Sequence, residues 1–407
     1  MRFDRAPWHL DPEVSFLNHG AHGAVPDAVL EAQRAWRDRM EANPVRFLAR
    51  ELPDLLDETR RDVAAFLGAD PGGLVFVANA TTGASTVLAS LRFEPGDELL
   101  TTDHEYNATL NALTRAALRD GATVVVARIP IPIADASQAL DAIVGAVTPR
   151  TRLALVSHVT SPTALVLPIG AIVRELDRRG VDTLVDAAHA PGMVPLDVDA
   201  LGAAYWTGNG HKWLCAPKGS GMLHVRSDLR DRIRPLVVSH GFNEPRTDRS
   251  ALHLEFDWMG TADPSAILAM SAAIRFVGAL DPQGWPGLMA ANRELARRGR
   301  DAIASRAGIT PGAPDAMLGS MAALALPGRP GGREAERLQR ALADVDRIEV
   351  PIVSWPVRAA RARGAAPAAN LVRISAQRYN RLAEYERLGD VLADRMRSDA
   401  DRRRRRR

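Results

Sequence analysis

The 407-residue sequence contains one cysteine, Cys215. A single thiol excludes an internal disulfide framework and a cysteine-based metal cluster, so no metal is expected. Lysine is nearly as scarce: of 52 basic residues only Lys212 and Lys218 are lysines, and the other fifty are arginines. No apolar run reaches the roughly 18 residues of a membrane span, so no membrane association is expected. The opening stretch MRFDRAPWHLDPE lacks the apolar stretch of a secretory leader, which makes the cytoplasm the default location. Nucleic-acid binding is not expected either, because no stripe of interleaved aromatic and basic residues is present.

The formal charge of +3 belongs to the tail. Residues 402–407 are all arginine, and without them 46 basic residues face 49 acidic ones. Residues 401–407 therefore read as a basic, solvated, disordered end. The rest has an ordinary make-up for a soluble enzyme, with 46% hydrophobic and 25% charged residues. A chain of this length suggests two or three domains.

Between about 73 and 225, short apolar runs alternate with helical stretches. GLVFVAN, DELLTTD, ATVVVARI, RLALVSHVT, VDTLVDAA, AAYWTGN and GMLHVR read as seven strands. Strand–helix alternation predicts an α/β fold, with a mostly parallel sheet covered by helices on both faces. Ligands of such sheets bind outside the carboxyl ends of the strands. The polar residues collect there: Asn79, Thr81, 103–107, Ser157, His158, Asp186 and 209–212. Residues 27–67 read as largely helical, interrupted at Pro44 and Pro53, and 264–306 as helices. From about 310, SMAALALP, RIEVPIVSW and LVRISA alternate with REAERLQRALAD and a final helix from about 380, which predicts a smaller C-terminal α/β domain. The Pro-, Ala- and Gly-rich stretch PVRAARARGAAPAAN reads as a mobile loop beside the site.

The two lysines lie six residues apart in HKWLCAPKG. Arginine stays protonated and cannot form an imine, whereas lysine can lose its proton and attack a carbonyl. Lysine retained here suggests amine chemistry, and Lys212, after the strand-like AAYWTGN, is the candidate over Lys218 in the turn-like APKGSG. Asp186 closes the strand VDTLV beside small residues, where a carboxylate can approach a flat ligand. Pyridoxal 5′-phosphate (PLP) needs such a group to keep its pyridine nitrogen protonated; capping of the next turn would use the same residue. Asn79 to Gly83 join a strand to a helix. The helix start and the Thr hydroxyls suit an anion, although plain N-capping looks alike.

The segments NHGAHGAVP, NATTGAS, DHEYNA, HVTSPTALVLPI, VDAAHAPG, TGNGHKWLCAPKG, VVSHG, WMGTADPSA and LVRISAQRYN occur in this order. Together they resemble the class V aminotransferase group of PLP-dependent enzymes, in particular its isopenicillin N epimerase-like branch, which is similar to the cysteine desulfurases. The resemblance runs from about Phe16 to Asn380. It implies an aspartate-aminotransferase-like PLP fold, with a large PLP-binding domain over 16–275 and a small domain from 1–15 and 276–400.

The same resemblance implies roles. Lys212 matches the Schiff-base lysine and Asp186 the pyridinium partner. His189 matches a side chain facing the cofactor's phenolic oxygen, and Tyr106 the stacking ring. Thr81, Thr82, Asn209 and His211 match positions around the phosphate. Thr261 resembles a residue that reaches a neighbouring subunit's phosphate, which implies a homodimer with shared sites. Arg373 resembles the arginine that clamps the substrate carboxylate, a bidentate task suited to a guanidinium. Asn18 and His19 are placed at the substrate entrance, or in a turn. Core packing for Tyr106, an internally satisfied ring for His189 and a surface ion pair for Arg373 are the plain alternatives.

Cysteine desulfurases carry a nucleophilic cysteine on the loop before that arginine, and residues 356–369 contain none. Cys215, in an apolar setting, reads as an inert thiol. The expected chemistry is therefore at the Cα of an amino acid or amino-acid conjugate, by an epimerase or a β C–S lyase. Transamination and decarboxylation of an S-conjugated cysteine follow as alternatives. A cysteine desulfurase, and last a non-catalytic binding protein, are the remote ones.

Overall fold

The computed structural model describes residues 7–328, 330–361 and 366–404. All seven strand-like runs form strands of one sheet: β1 (Leu74–Val77), β2 (Glu98–Thr102), β3 (Thr123–Ala127), β4 (Thr151–Ser157), β5 (Asp182–Ala187), β6 (Tyr205–Asn209) and β7 (Gly221–Val225). Their spatial order is β1-β7-β6-β5-β4-β2-β3. Only β7 runs against its neighbours. This is the mostly parallel seven-stranded sheet expected from the alternation.

Successive side chains of a strand point to opposite faces. Apolar runs in a doubly covered sheet therefore feed two cores. Val75, Val77, Leu99, Leu153, Leu155, Leu184 and Leu223 pack into one buried cluster. Their immediate neighbours Leu74, Phe76, Leu100, Ala154, Val156, Val185 and Met222 pack into the other. Each fully buried Val, Leu or Phe contributes about 1.5–3 kcal/mol, so slippage by one residue would turn a whole set to the wrong face.

A third core lies around α-helix Gly284–Ala307, β8 (Met321–Leu326), β9 (Ile352–Trp355), β10 (Ala369–Ser375) and the final helix. The strands β9, β10 and β8 pair antiparallel in that order. Leu17 belongs to this core, and Ser15–Phe16 pairs in parallel with Ile348–Glu349.

Two local expectations need correction. Pro53 does not end the helical course: it is the second residue of helix Leu52–Leu67, into which the π-helical turn Phe47–Glu51 leads directly, with Leu52 N–H bonding the Phe47 carbonyl. The break falls instead at Asn43, whose side chain caps the turn that starts at Pro44. The tail does not begin as coil, because the last helix runs from Leu382 to Arg404. Residues 405–407 lie outside the described residues, as do 362–365 at the centre of the loop expected to be mobile. Among the described residues no helix is long and apolar enough to cross a membrane.

Candidate active site

The carboxyl ends of β1, β2, β4, β5 and β6 open on a cavity of about 800 Å³. It is lined by Thr81, Thr82, Tyr106, Asp186, His189, Asn209, His211, Lys212, Lys218 and Arg373, among others. Nine of these are residues singled out in the sequence for cofactor contact or substrate binding, drawn together from positions up to 292 residues apart. Three are not where they were expected or lie apart from the rest.

Lys212 is half-buried on the cavity wall, and desolvation pulls its amine down to about 7; the nearby Arg373 charge acts the same way and Asp186 opposes both. Its Nζ lies 3.1 Å from His189 Nε2. On the far side of that ring, Trp213 Nε1 lies 3.3 Å from His189 Nδ1. Indole N–H can only donate, so Nδ1 must be the unprotonated nitrogen. Burial holds the imidazole well below its usual value and therefore neutral. The remaining hydrogen then sits on Nε2 and is donated to Lys212 Nζ, which accepts it only as a free amine. His189 is thus internally satisfied and in direct contact with the lysine at once.

Lys218, the other lysine, also reaches the cavity wall, but its Nζ donates to the Gly23 carbonyl at 2.7 Å. Asp186 is buried, with Oδ1 accepting the Ala188 N–H at 3.0 Å. It caps its turn and lines the cavity together. Burial raises its carboxyl above the ordinary value, the Ala188 N–H opposing, so a cationic partner is what the carboxylate lacks.

An anion cradle forms where helix Ala80–Ser90 begins. The amides of Ala80, Thr82 and Gly83 are taken by Asn209 Oδ1, Asn79 Oδ1 and the Asn79 carbonyl. Thr81 supplies the other amide of that first turn. Asn209 therefore ties the helix to β6 at 2.8 Å in addition to facing the cavity. His211 Nδ1 is buried with no hydrogen-bond partner among the described residues, and burial lowers this ring to about 4. An orphaned ring nitrogen, two threonine hydroxyls and a helix start make a donor set that fits a phosphate.

Arg373 is 5% exposed. Its Nη1 donates to the Ser161 carbonyl at 2.6 Å and to Ser161 Oγ at 3.2 Å, and its buried Nε has no partner. No carboxylate among the described residues pairs with it, which removes the surface ion-pair alternative. Burial pulls the guanidinium down to about 10, still charged at neutral pH. A buried cation without an acid is costly unless an anion arrives. Tyr106 is 46% exposed and caps helix Asn107–Asp120, so it is not core.

Asn18 and His19 do not line the cavity; Gly20, Ala21 and His22 do. His19 is completely buried and faces the Lys212 carbonyl, while Asn18 reaches Glu349 at 3.4 Å. Thr261 is exposed on the loop after Trp258, outside the cavity. Cys215 is fully buried, and burial pushes its thiol up to about 12. The loop before Arg373 does adjoin the site: Val357 lines the cavity, and Ala359 N–H bonds Asn107 Oδ1 at 3.0 Å.

Three contributors escaped sequence reasoning. Ser161 holds Arg373 mainly by a carbonyl, which no side-chain pattern reveals. Trp213 reads as core. Glu105 is fully buried and accepts from Ser157 N–H at 2.7 Å and from Ser157 Oγ. Burial pushes its carboxyl up to about 8, with Asp186 adding to the rise. Its place in DHEYNA, at a strand end, was the available signal.

Known proteins resemble this chain in sequence and in fold. The aminotransferase class-V family matches residues 15–388. Isopenicillin N epimerase from Streptomyces clavuligerus is 35% identical over 398 residues, covering 94% of this chain and 95% of that protein. A putative L-cysteine desulfhydrase 1 from Oryza sativa subsp. japonica is 33% identical over 410 residues, covering 94% and 83%. A C-DES variant solved with glycine covalently linked to its PLP cofactor superposes with a TM-score of 0.82 at 23% identity, covering 96% of this chain and 99% of that one.

Proposed function

The chain belongs to the class-V aminotransferase family, and on that premise we propose an enzyme that breaks the Cα–H bond of an amino acid or amino-acid conjugate, as an epimerase or a β C–S lyase. The cofactor is pyridoxal 5′-phosphate. When bound, it supplies an electron-withdrawing ring for the amino acid it carries.

The observation that carries this reading is a free amine and an acid-free guanidinium facing one cavity. Lys212 is the lysine for the cofactor, and Asp186 is the carboxylate for its ring nitrogen. His189 serves the phenolic oxygen and Tyr106 the ring face. Thr81, Thr82 and His211 take the phosphate, within a cradle that Asn209 fastens. Arg373, steadied by Ser161, holds the substrate carboxylate and so orients Cα. Lys212, as a neutral amine, then removes the Cα proton. Return of a proton to the other face inverts the centre. Departure of a thiolate from Cβ instead breaks the C–S bond, and water then releases pyruvate and ammonia from cysteine. Both outcomes are named among the relatives, as epimerase and as desulfhydrase. Thr261 acts from a second copy of the chain, in a homodimer.

The test is proton exchange. In heavy water the holoenzyme exchanges the Cα proton of an accepted amino acid, read by NMR, before or during turnover. Turnover with the Cα proton fully retained would falsify this reading.

A further inference from the structure

His19 lies outside the cavity, yet it touches the backbone of the residue on which the chemistry depends. Its Nε2 is 3.0 Å from the Lys212 carbonyl oxygen and its Nδ1 is 2.7 Å from the Tyr379 hydroxyl. A carbonyl only accepts, so Nε2 carries the hydrogen. Nδ1 then accepts from Tyr379 O–H and, at 3.4 Å, from Ala24 N–H. Burial lowers the ring to about 3, so it stays neutral and keeps this tautomer. The Trp213 ring, at a centroid distance of 4.9 Å, packs against it.

The backbone around His19 is bound to the strand that carries Arg373. Ser375 N–H bonds the Leu17 carbonyl at 2.8 Å, and Gly20 N–H bonds Ser375 Oγ at 3.0 Å. Ser375 is two residues beyond Arg373 on β10. Four residues past His19, Gly23 presses on the lysine turn. A Cβ there would sit 2.5 Å from the His211 oxygen and 2.6 Å from that of Lys212, so only glycine permits the approach. The segment Leu17–Gly23 thus spans from the substrate-clamp strand to the lysine turn, and His19 supplies its side-chain bond to the Lys212 backbone.

We infer that His19 is a positioning residue: through Nε2 it fixes the Lys212 backbone relative to Arg373, with Tyr379 holding its tautomer. The inference rests on the reading that Lys212 and Arg373 serve the same substrate. A displacement near 1 Å at a reacting group can cost about 100-fold in rate, so this link has consequences for turnover without touching the substrate.

Two substitutions separate positioning from packing. Gln places an amide nitrogen near the Nε2 position and retains the bond to Lys212; Asn reaches only toward Tyr379. In the holoenzyme, His19→Asn lowers kcat by about 10-fold or more, with KM within about 3-fold because the Arg373–Ser161 contact is intact. His19→Gln keeps kcat within about 3-fold of the parent. Apoprotein carrying His19→Asn also takes up PLP more slowly than the parent, followed by absorbance. Should His19→Asn fail to fold, Tyr379→Phe carries the test with the same fall in kcat at unchanged KM. Equal kcat in the Asn and Gln variants, or kcat and KM moving together with thermal stability, overturns the inference. Borohydride reduction of the parent holoenzyme distinguishes failure of the premise: a label on Lys218 removes the reading of Lys212 itself. A label on Lys212 with an unaffected His19→Asn removes only the positioning role.

Discussion

Trp213 Nε1 donates to His189 Nδ1 at 3.3 Å, and that bond leaves Nε2 of the same ring to donate to Lys212 Nζ at 3.1 Å. That contact suits Lys212 as a free amine, and the ring that makes it is oriented by Trp213, which does not line the cavity. Burial is the larger cause of its low value, and Arg373 and Asp186 pull in opposite directions.

A pH dependence follows for cofactor uptake. The amine attacks a carbonyl only when unprotonated. The Lys212 value is lowered from 10.5 to about 7, so uptake by apoprotein rises with pH through a midpoint near 7 and then levels off. Replacing Arg373 by Met removes a charge that lowers the value, and the midpoint moves up; Asp186→Ala moves it down. Stopped-flow absorbance across the pH range reads both. A midpoint near 10 in the parent protein would show that the amine is not held as described.

Asp186 lies where a buried carboxylate without a cation is disfavoured. In Asp186→Ala the cofactor still binds, but turnover falls by about 100-fold or more, the scale of losing one well-placed electrostatic partner. Asp186→Asn keeps the shape and loses the charge, so it falls with the Ala variant. Steady-state kinetics with both variants checks this, and near-parental turnover in either excludes the charge role.

Arg373→Lys is not a mild change, because an ammonium cannot both hold the Ser161 carbonyl and present a planar fork. KM for the amino acid rises by about 10-fold or more, matching the loss of a buried charge-assisted contact of at least about 1.4 kcal/mol. A carboxylate-free amine analogue should bind parent and variant alike. Equal losses for both ligands point to a collapsed site instead.

The central sheet was legible because each strand is a short apolar run whose two parities belong to different cores, as Val75 and Phe76 do. The reversal of β7 was not, since direction depends on which strands it meets rather than on its own residues. Site residues at strand ends, such as Asp186 and Lys212, stood out by being polar or rare after apolar runs. His19 was placed at the substrate entrance, with a turn as the alternative, and nothing local in Asn-His-Gly marks it as buried. Its burial comes from partners 193 and 360 positions away, which no local pattern encodes. Ser161 acts chiefly through its backbone and leaves no compositional trace at all.

Thr261 lies in the open, apart from the cavity, so any part it takes in the site requires a second chain. Mixing an inactive Lys212→Ala chain with an inactive Thr261→Ala chain should then restore partial activity, because one site of the heterodimer combines an intact lysine with an intact threonine. Light scattering should give the mass of a dimer. A fully active monomer, or Thr261→Ala with parental kinetics, would remove the shared-site idea.

Cys215 tests the division between Cα chemistry and persulfide chemistry. A nucleophilic cysteine works as the thiolate, at an accessible position and often beside a cation that lowers its value. Here the thiol is wholly buried and pushed up to about 12, with Sγ 3.7 Å from the Trp213 carbonyl and from His19 Nε2. It sits in the turn that follows Lys212, at a φ of 58°, so its task is to fill space there. Cys215→Ala removes one sulfur from this packing and costs about 1 kcal/mol, the usual scale for a small core deletion. Its kcat should stay within about 3-fold of the parent, with Tm slightly lower by calorimetry. Alkylating reagents should modify the native thiol slowly and the denatured thiol fast. If a folded Cys215→Ala protein loses all turnover while still exchanging the Cα proton of its substrate, the thiol acts after proton removal, and sulfur transfer through Cys215 replaces simple elimination as the mechanism.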